Sequence, residues 1–263
     1  RSGNLECDFF KIDIPDFIPI YEENRQYGWT NYKEDTWDLL VRASNNYCMY
    51  CYDKVVINNQ KRGQIEHGIE KTILKKKLTD CVPNLGVACE NCNQKYKRKG
   101  EKLRKLNAEE IADLIEVECP QYECKKMCDA FKRVRMRYIK KGKIILQPFG
   151  VVNEETGHTL HMQYDLLEFK YVPSTERYSY TEEELKIIEG HIELFGLNSA
   201  LRKNHEIARY CKGVVAQNSL LEEIEFNNML VDLLREKLKR MKIDDAIHVC
   251  RIIYEIAWIK LNS

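Results

Sequence analysis

The apolar positions of residues 33–44, Trp37, Leu40 and Val41, fall on one face at helical spacing and predict a short amphipathic helix. Upstream, residues 5–46 open on a Pro-punctuated stretch, Ile12-Asp13-Ile14-Pro15-Asp16-Phe17-Ile18-Pro19. Residues 54–58 and 64–67 read as two short strands, with turn-like residues 59–63 between them. Residues 101–118 return to a helical rhythm, with Asn107 as the N-cap and Glu110 three residues on. Residues 144–172 are β-rich in composition. From residue 181 the pattern is helical to the end. Thr181 and Glu184 form a capping box, and Ile187, Ile188, Ile192 and Phe195 make a stripe that stops at Gly196. A second helix is expected over 199–211, ended by Gly213. Two further amphipathic helices are expected over 219–241 and 244–261. The sequence has no internal repeat and no low-complexity linker.

A chain of 263 residues is one large domain or two small ones. At 44% hydrophobic and 32% charged it has the composition of a folded soluble protein, not of a disordered one. Its most apolar tail segment, residues 249–261, is broken by Arg251, Glu255 and Lys260, so no transmembrane span is expected. The opening Arg1-Ser2-Gly3-Asn4 lacks the charged-then-apolar layout of a signal peptide, which makes a disulfide framework an unpromising use of cysteine. The net charge of +1 hides an asymmetry: residues 54–143 hold 23 basic and 12 acidic residues, a net +11, and the remainder is −10. Such a split points to one region that faces nucleic acid and another with a different task.

Eight of the 11 cysteines lie between Cys48 and Cys128. Cys48-Met49-Tyr50-Cys51 and Cys89-Glu90-Asn91-Cys92 are two CxxC knuckles with 37 residues between them. Four thiolates so arranged suit a closed, structural, tetrahedral zinc site. The competing reading is four buried, unligated cysteines.

Between and beside the knuckles lie Glu66-His67, Lys71, Pro83-Asn84-Leu85 and Cys89-x-x-Cys92-Asn93-Gln94-Lys95. In this order and spacing they resemble the HNH endonucleases. The resemblance implies an α+β chain with a zinc-stapled ββα-metal core over residues 47–143, and mainly helical N- and C-terminal extensions. Gln147-Pro148-Phe149, Gly157-His158, Gly190, Phe195-Gly196-Leu197-Asn198 and Leu201-Arg202 further resemble the HNH subunit of Septu- and retron-type anti-phage systems. That subunit accompanies an ABC/SMC-like ATPase, so such a partner and a bacterial cytoplasmic location are implied. The organisation expected is an N-terminal extension over 1–46, the core over 47–143, a family-specific α/β extension over 144–212, and a helical hairpin over 213–263 that could dock a partner.

The resemblance also implies roles. His67 matches the general base that takes a proton from the attacking water. Glu66 and Asn93 match ligands of a catalytic Mg²⁺ or Mn²⁺. Asn84 matches the residue that holds the loop orienting the base. Lys71 and Lys95 are candidate phosphate contacts. The usual Pro-Lys after the histidine is replaced by Ile69-Glu70-Lys71, which leaves the loop conformation open. Against these stand plainer readings: His67 as a hydrogen-bonded strand end, Glu66 as a solvated strand residue, and Asn93 as a helix N-cap.

Lys95, Lys97, Arg98 and Lys99, then Arg133, Arg135 and Arg137 among the later basic residues, form a candidate nucleic-acid surface that binds backbone without reading sequence. The plainer alternative is a solvated helix face. Cys119, Cys124 and Cys128, with Cys81, His158 or His161, are weaker candidates for a second metal. Cys7, Cys211 and Cys250 read as buried thiols, and His191, His205 and His248 as surface or interface residues. The function expected is hydrolysis of phosphodiesters, with DNA favoured and RNA or tRNA open. The rival is a catalytically inactive zinc-ribbon nucleic-acid-binding or scaffold protein.

Overall fold

The computed structural model describes residues 7–119, 124–202, 204–221 and 224–262. The chain is mixed α+β. Its strands are β1 (Lys11–Asp13), β2 (Val56–Ile57), β3 (Gln60–Lys61), β4 (Gly63–His67), β5 (Leu85–Cys89), β6 (Met162–Asp165) and β7 (Lys170–Pro173). Its helices are α1 (Lys33–Ala43), α2 (Lys75–Leu78), α3 (Lys97–Lys99), α4 (Ala108–Ile115), α5 (Asp129–Gly142), α6 (Glu182–Leu194), α7 (His205–Gln217), α8 (Met229–Leu238) and α9 (Ile243–Asn262). No helix among the described residues is long and apolar enough to cross a membrane.

The chain divides into two compact units, each drawn from segments distant in sequence. The larger takes Pro15–Leu160 and Thr175–Phe195. The smaller takes the residues up to Ile14, His161–Ser174 and Gly196–Ser263.

In the larger unit α1 forms where the stripe predicts it, with Trp37, Leu39, Leu40 and Val41 buried. The strands expected over 54–58 and 64–67 do not pair with each other: β2 pairs β3, and β4 pairs β5, both antiparallel. Burial decides this. Leu85, Val87 and Ala88 of β5 are fully enclosed and offer β4 a dry neighbour, whereas Gln60 and Lys61 of β3 face solvent. Gly63 opens the β4 register opposite Cys89, because a Cβ there would stand 2.7 Å from Val55 Cβ and 2.9 Å from the Ala88 carbonyl.

The helix expected over 101–118 is shorter. Its capping box at Asn107 and Glu110 forms, but before it the chain turns to carry the Arg104 side chain into the interior with no exposure. α5 buries Phe131, Val134, Tyr138 and Ile139. α6 starts at its Thr181–Glu184 box, and the buried Glu184 carboxylate also accepts from Asn153, Thr156 and His158. Residues 144–160 are not the β-rich stretch expected. The carbonyls of Leu146, Pro148 and Gly150 are satisfied instead by the guanidinium of Arg135. His191 differs from its surface reading: it is buried, its Nδ1 accepts from the Ile145 amide at 3.1 Å, and burial pushes its pKa down to about 3.

In the smaller unit β6 is the central strand, with β1 and β7 antiparallel on either side. Lys237 of α8 donates to the carbonyls of Phe9 and Lys11. The helix expected over 199–211 begins later, at His205 under an Asn204 cap. It runs through Gly213 and stops where Asn218 turns left-handed at φ 53°. Gly213 is therefore no terminator; a Cβ there would stand 2.5 Å from Leu221 Cδ1. The helix expected over 219–241 is reduced to α8, capped by Asn228, and part of its predicted start (222–223) lies outside the described residues. α9 packs on α7 rather than chiefly on α8, its partner in the expected hairpin; Val249, Cys250 and Ile253 are buried, while Trp258 and Ile259 are exposed. Cys211 is likewise buried; the Cys7 side chain lies outside what is described.

Candidate metal centre and adjoining cleft

The first knuckle, Cys48–Cys51, is tied to β5 by the Met49 amide, which donates to the Val87 carbonyl at 3.0 Å. Cys89 is the last residue of β5, and Cys92 lies one turn on in the helical segment Asn91–Tyr96. β5 thus delivers the second knuckle to the first. The four sulfurs lie within 4.8 Å of one another, with Cys51 and Cys89 at 3.7 Å. Four ligands about 2.3 Å from a central ion would stand roughly 3.8 Å apart, so the cluster fits a tetrahedral metal such as zinc. All four are free thiols and none is more than half-exposed. Hydrogen bonds from Cys48, Cys51 and Cys92 hold the Cys89 thiol far below its ordinary range. The same mutual bonds raise Cys51 and Cys92.

β4 and β5 then set out a cleft of about 490 Å³ lined by Trp29, Glu66, His67, Lys71, Asn93 and Arg98, among others. His67 ends β4. Its Nε2 lies 3.1 Å from the Thr79 carbonyl. A carbonyl only accepts, so Nε2 carries the proton and Nδ1 keeps the lone pair. Burial lowers the His67 pKa, against the Thr79 carbonyl and the Glu66 charge, which raise it. The ring is therefore neutral at pH 7, with one basic nitrogen.

Asn84 is buried and fastens the loop after His67. Its Oδ1 accepts from the Ile69 amide at 2.8 Å, and its Nδ2 donates to the carbonyls of Ile69 (2.9 Å) and Leu78 (3.3 Å). Its own carbonyl accepts from Gly68 at 2.7 Å. Glu70 accepts from Tyr138 and Arg104, so the loop is held at Ile69 and again at Glu70.

Glu66 departs from its expected part. It is 2% exposed, and its two oxygens accept from Tyr50 and from Lys97. Lys97 donates also to the His67 carbonyl. Neither the solvated-strand reading nor a waiting metal ligand describes this carboxylate: an ammonium holds it. Asn93, the other expected ligand, lines the same cleft, with Nδ2 donating to Gln64 at 3.0 Å. It lies inside the Asn91–Tyr96 segment, so it is not an N-cap. As arranged, this donor set does not fit a divalent cation, because the buried carboxylate is already neutralised by Lys97.

The basic residues separate by environment. Lys95, Arg98 and Lys99 are exposed, and the amines of Lys95 and Lys99 each lie 5.6 Å from the Tyr96 ring. Arg133 and Arg137 are partly exposed and paired with Asp113 of α4. Lys97 and Arg135 are buried at 5% exposure and are not available to phosphates. Lys97 neutralises Glu66, and the Arg135 guanidinium donates to the three loop carbonyls.

Trp29 has no signature in the sequence. Thr30 donates from both its amide and its hydroxyl to Asp80, at 2.7 and 2.8 Å, which pins this loop beside Thr79. The Trp29 ring then lies 5.8 Å from the His67 ring, with the Lys71 amine 3.9 Å above it. An aromatic face, a cation and a basic nitrogen share one opening. No protein-family model matches the chain, no curated protein matches it, and no solved structure matches it.

Proposed function

We propose that the chain is an HNH-type endonuclease that hydrolyses nucleic-acid phosphodiesters, with DNA the first substrate and RNA or tRNA the second. The observation that carries this reading is His67: a neutral imidazole with Nε2 committed to the Thr79 carbonyl, seated in a cleft with Lys71, Arg98 and the Trp29 ring. Nδ1 takes a proton from water as its oxygen attacks phosphorus, the P–O bond to the leaving alkoxide breaks and that oxygen takes a proton from solvent, and the Thr79 carbonyl steadies the imidazolium that forms. Lys71 and Arg98 offset charge on the phosphate, and Trp29 offers a face for a base. The antiparallel β4–β5 pair followed by the helical segment from Asn91 onward supports this reading, being two strands and a helix in the order of a ββα unit. Zinc in the four-cysteine cluster would fix that unit without joining the chemistry.

A second reading has its own support. The pairing of Glu66 with Lys97 favours a non-hydrolytic zinc-stapled nucleic-acid-binding or scaffold protein. One assay separates the two. Plasmid DNA and total RNA are incubated with the purified chain in Mg²⁺ or Mn²⁺, beside a folded His67→Ala protein of equal zinc content. The nuclease reading expects cleavage by the wild type and a loss of at least ~100-fold in the variant. Equal cleavage by both, or none by either in the presence of binding, overturns it. The implied ABC/SMC-like ATPase partner is part of the same proposal, and the exposed Trp258 and Ile259 of α9 support a docking role for the tail.

A further inference from the structure

We propose that the cleft works without a divalent cation, because the Lys97 ammonium already fills the role such an ion would have beside Glu66. The inference rests on the nuclease reading and departs from the Mg²⁺ or Mn²⁺ that the resemblance in sequence implies. A magnesium-class ion demands near-octahedral oxygen ligands and is anchored by one or two carboxylates. Glu66 is the carboxylate next to His67 on β4, and it lines the same cleft as Asn93. Both of its oxygens are in use: Oε1 accepts from the Tyr50 hydroxyl and Oε2 from Lys97.

Lys97 is fixed from two sides. Its Nζ donates to Glu66 and to the His67 carbonyl, so it clamps two successive residues of β4. Its own carbonyl accepts from Arg104, a fully buried guanidinium that also donates to Glu70 and to the Tyr138 hydroxyl. Under the cleft, then, Glu66 is matched by Lys97 and Glu70 by Arg104. A dication entering at Glu66 would find that carboxylate already neutralised. Expelling Lys97 to make room would strand an enclosed ammonium without its anion. Glu101, which also lines the cleft, is exposed. Among the described residues, the four cysteines are the one set of three or more acidic, thiol or imidazole ligands close enough to share an ion.

The work of a metal is divided as a result. Lys97 is a positioning residue: it neutralises Glu66 and holds the His67 carbonyl, and so sets the base, without touching the phosphate. Lys71 and Arg98 meet the phosphate, and their two charges match the second negative charge that builds as the attacking oxygen adds to phosphorus. Proton traffic is unchanged. Water gives a proton to Nδ1, the P–O bond to the leaving oxygen breaks, and that oxygen takes a proton from solvent.

The full chain is assayed on plasmid DNA and total RNA in EDTA and in Mg²⁺ or Mn²⁺, with its zinc content measured before and after. The wild-type rates should agree within about twofold, and His67→Ala should be inactive throughout. Titration with Mn²⁺, followed by electron paramagnetic resonance, should find no saturable site in the wild-type cleft. Lys97→Ala frees Glu66 and should reverse both results. It should bind about one Mn²⁺ per chain, and its cleavage should be at least ~10-fold slower in EDTA and partly recovered by Mn²⁺. Cleavage that depends on His67 but occurs only with Mg²⁺ or Mn²⁺ overturns the inference and leaves the nuclease reading standing. No cleavage under any condition overturns both. Should Lys97→Ala not fold, the wild-type measurements still decide: a saturable Mn²⁺ site that Glu66→Gln abolishes also overturns the inference.

Discussion

At the scale of the residue, His67 has its charge state set by neighbours distant in sequence. Burial lowers its pKa below the ordinary 6.5, and the Lys71 and Lys97 charges lower it further. In the proposed nuclease His67 works as a base only when neutral, so cleavage should be full above the folded pKa and lost as pH falls through it. The acid limb of a kcat/KM profile should therefore lie below about 6.5. Lys71→Ala removes one of the lowering charges and should move that limb upward, besides weakening phosphate binding. The pH profiles of both proteins check this, and an unmoved limb would detach Lys71 from the base. The sequence makes His67, Asn84 and the two knuckles visible because each is a residue type at a fixed spacing. Trp29 is invisible there, since its place depends on Thr30 reaching Asp80 across 50 residues. Arg135 is misread for a related reason: a basic run gives its charge but not its burial.

At the scale of the element, the Glu66–Lys97 pair is a bolt between β4 and α3. Both side chains are almost wholly enclosed, at 1% and 6% exposure. Breaking such a pair on one side leaves an uncompensated buried charge. Lys97→Met or Glu66→Gln alone should cost about 3–5 kcal/mol, and the double variant should recover much of that loss. Urea denaturation of the three variants measures it. Additive losses would mean that the partners do not act as a pair. The capping boxes at Asn107 and Thr181 are legible because a cap is a local agreement of a few residues. Strand pairing is not local. Residues 54–58 and 64–67 look like neighbours along the chain, yet β4 finds its partner beyond residue 84, where the burial is.

At the scale of the whole molecule, the four-cysteine cluster and the cleft belong to the larger unit, whereas α7, α8 and α9 belong to the smaller. With zinc in that cluster, as proposed, stripping it with a strong chelator should loosen hydrogen-exchange protection in β4 and β5 and leave that of α7 and α9 unchanged. Uniform loss across both units would show that they unfold together. The charge split seen in the sequence coincides with this division only in part, because the units interleave along the chain and composition follows sequence order. That interleaving also has a cost in time. β1 pairs Lys11 with Asp165, so its partner is made about 150 residues later. At roughly 5–20 residues per second of synthesis, β1 waits on the order of 10 s with that edge unclaimed, and the larger unit's main segment is complete before the smaller can close.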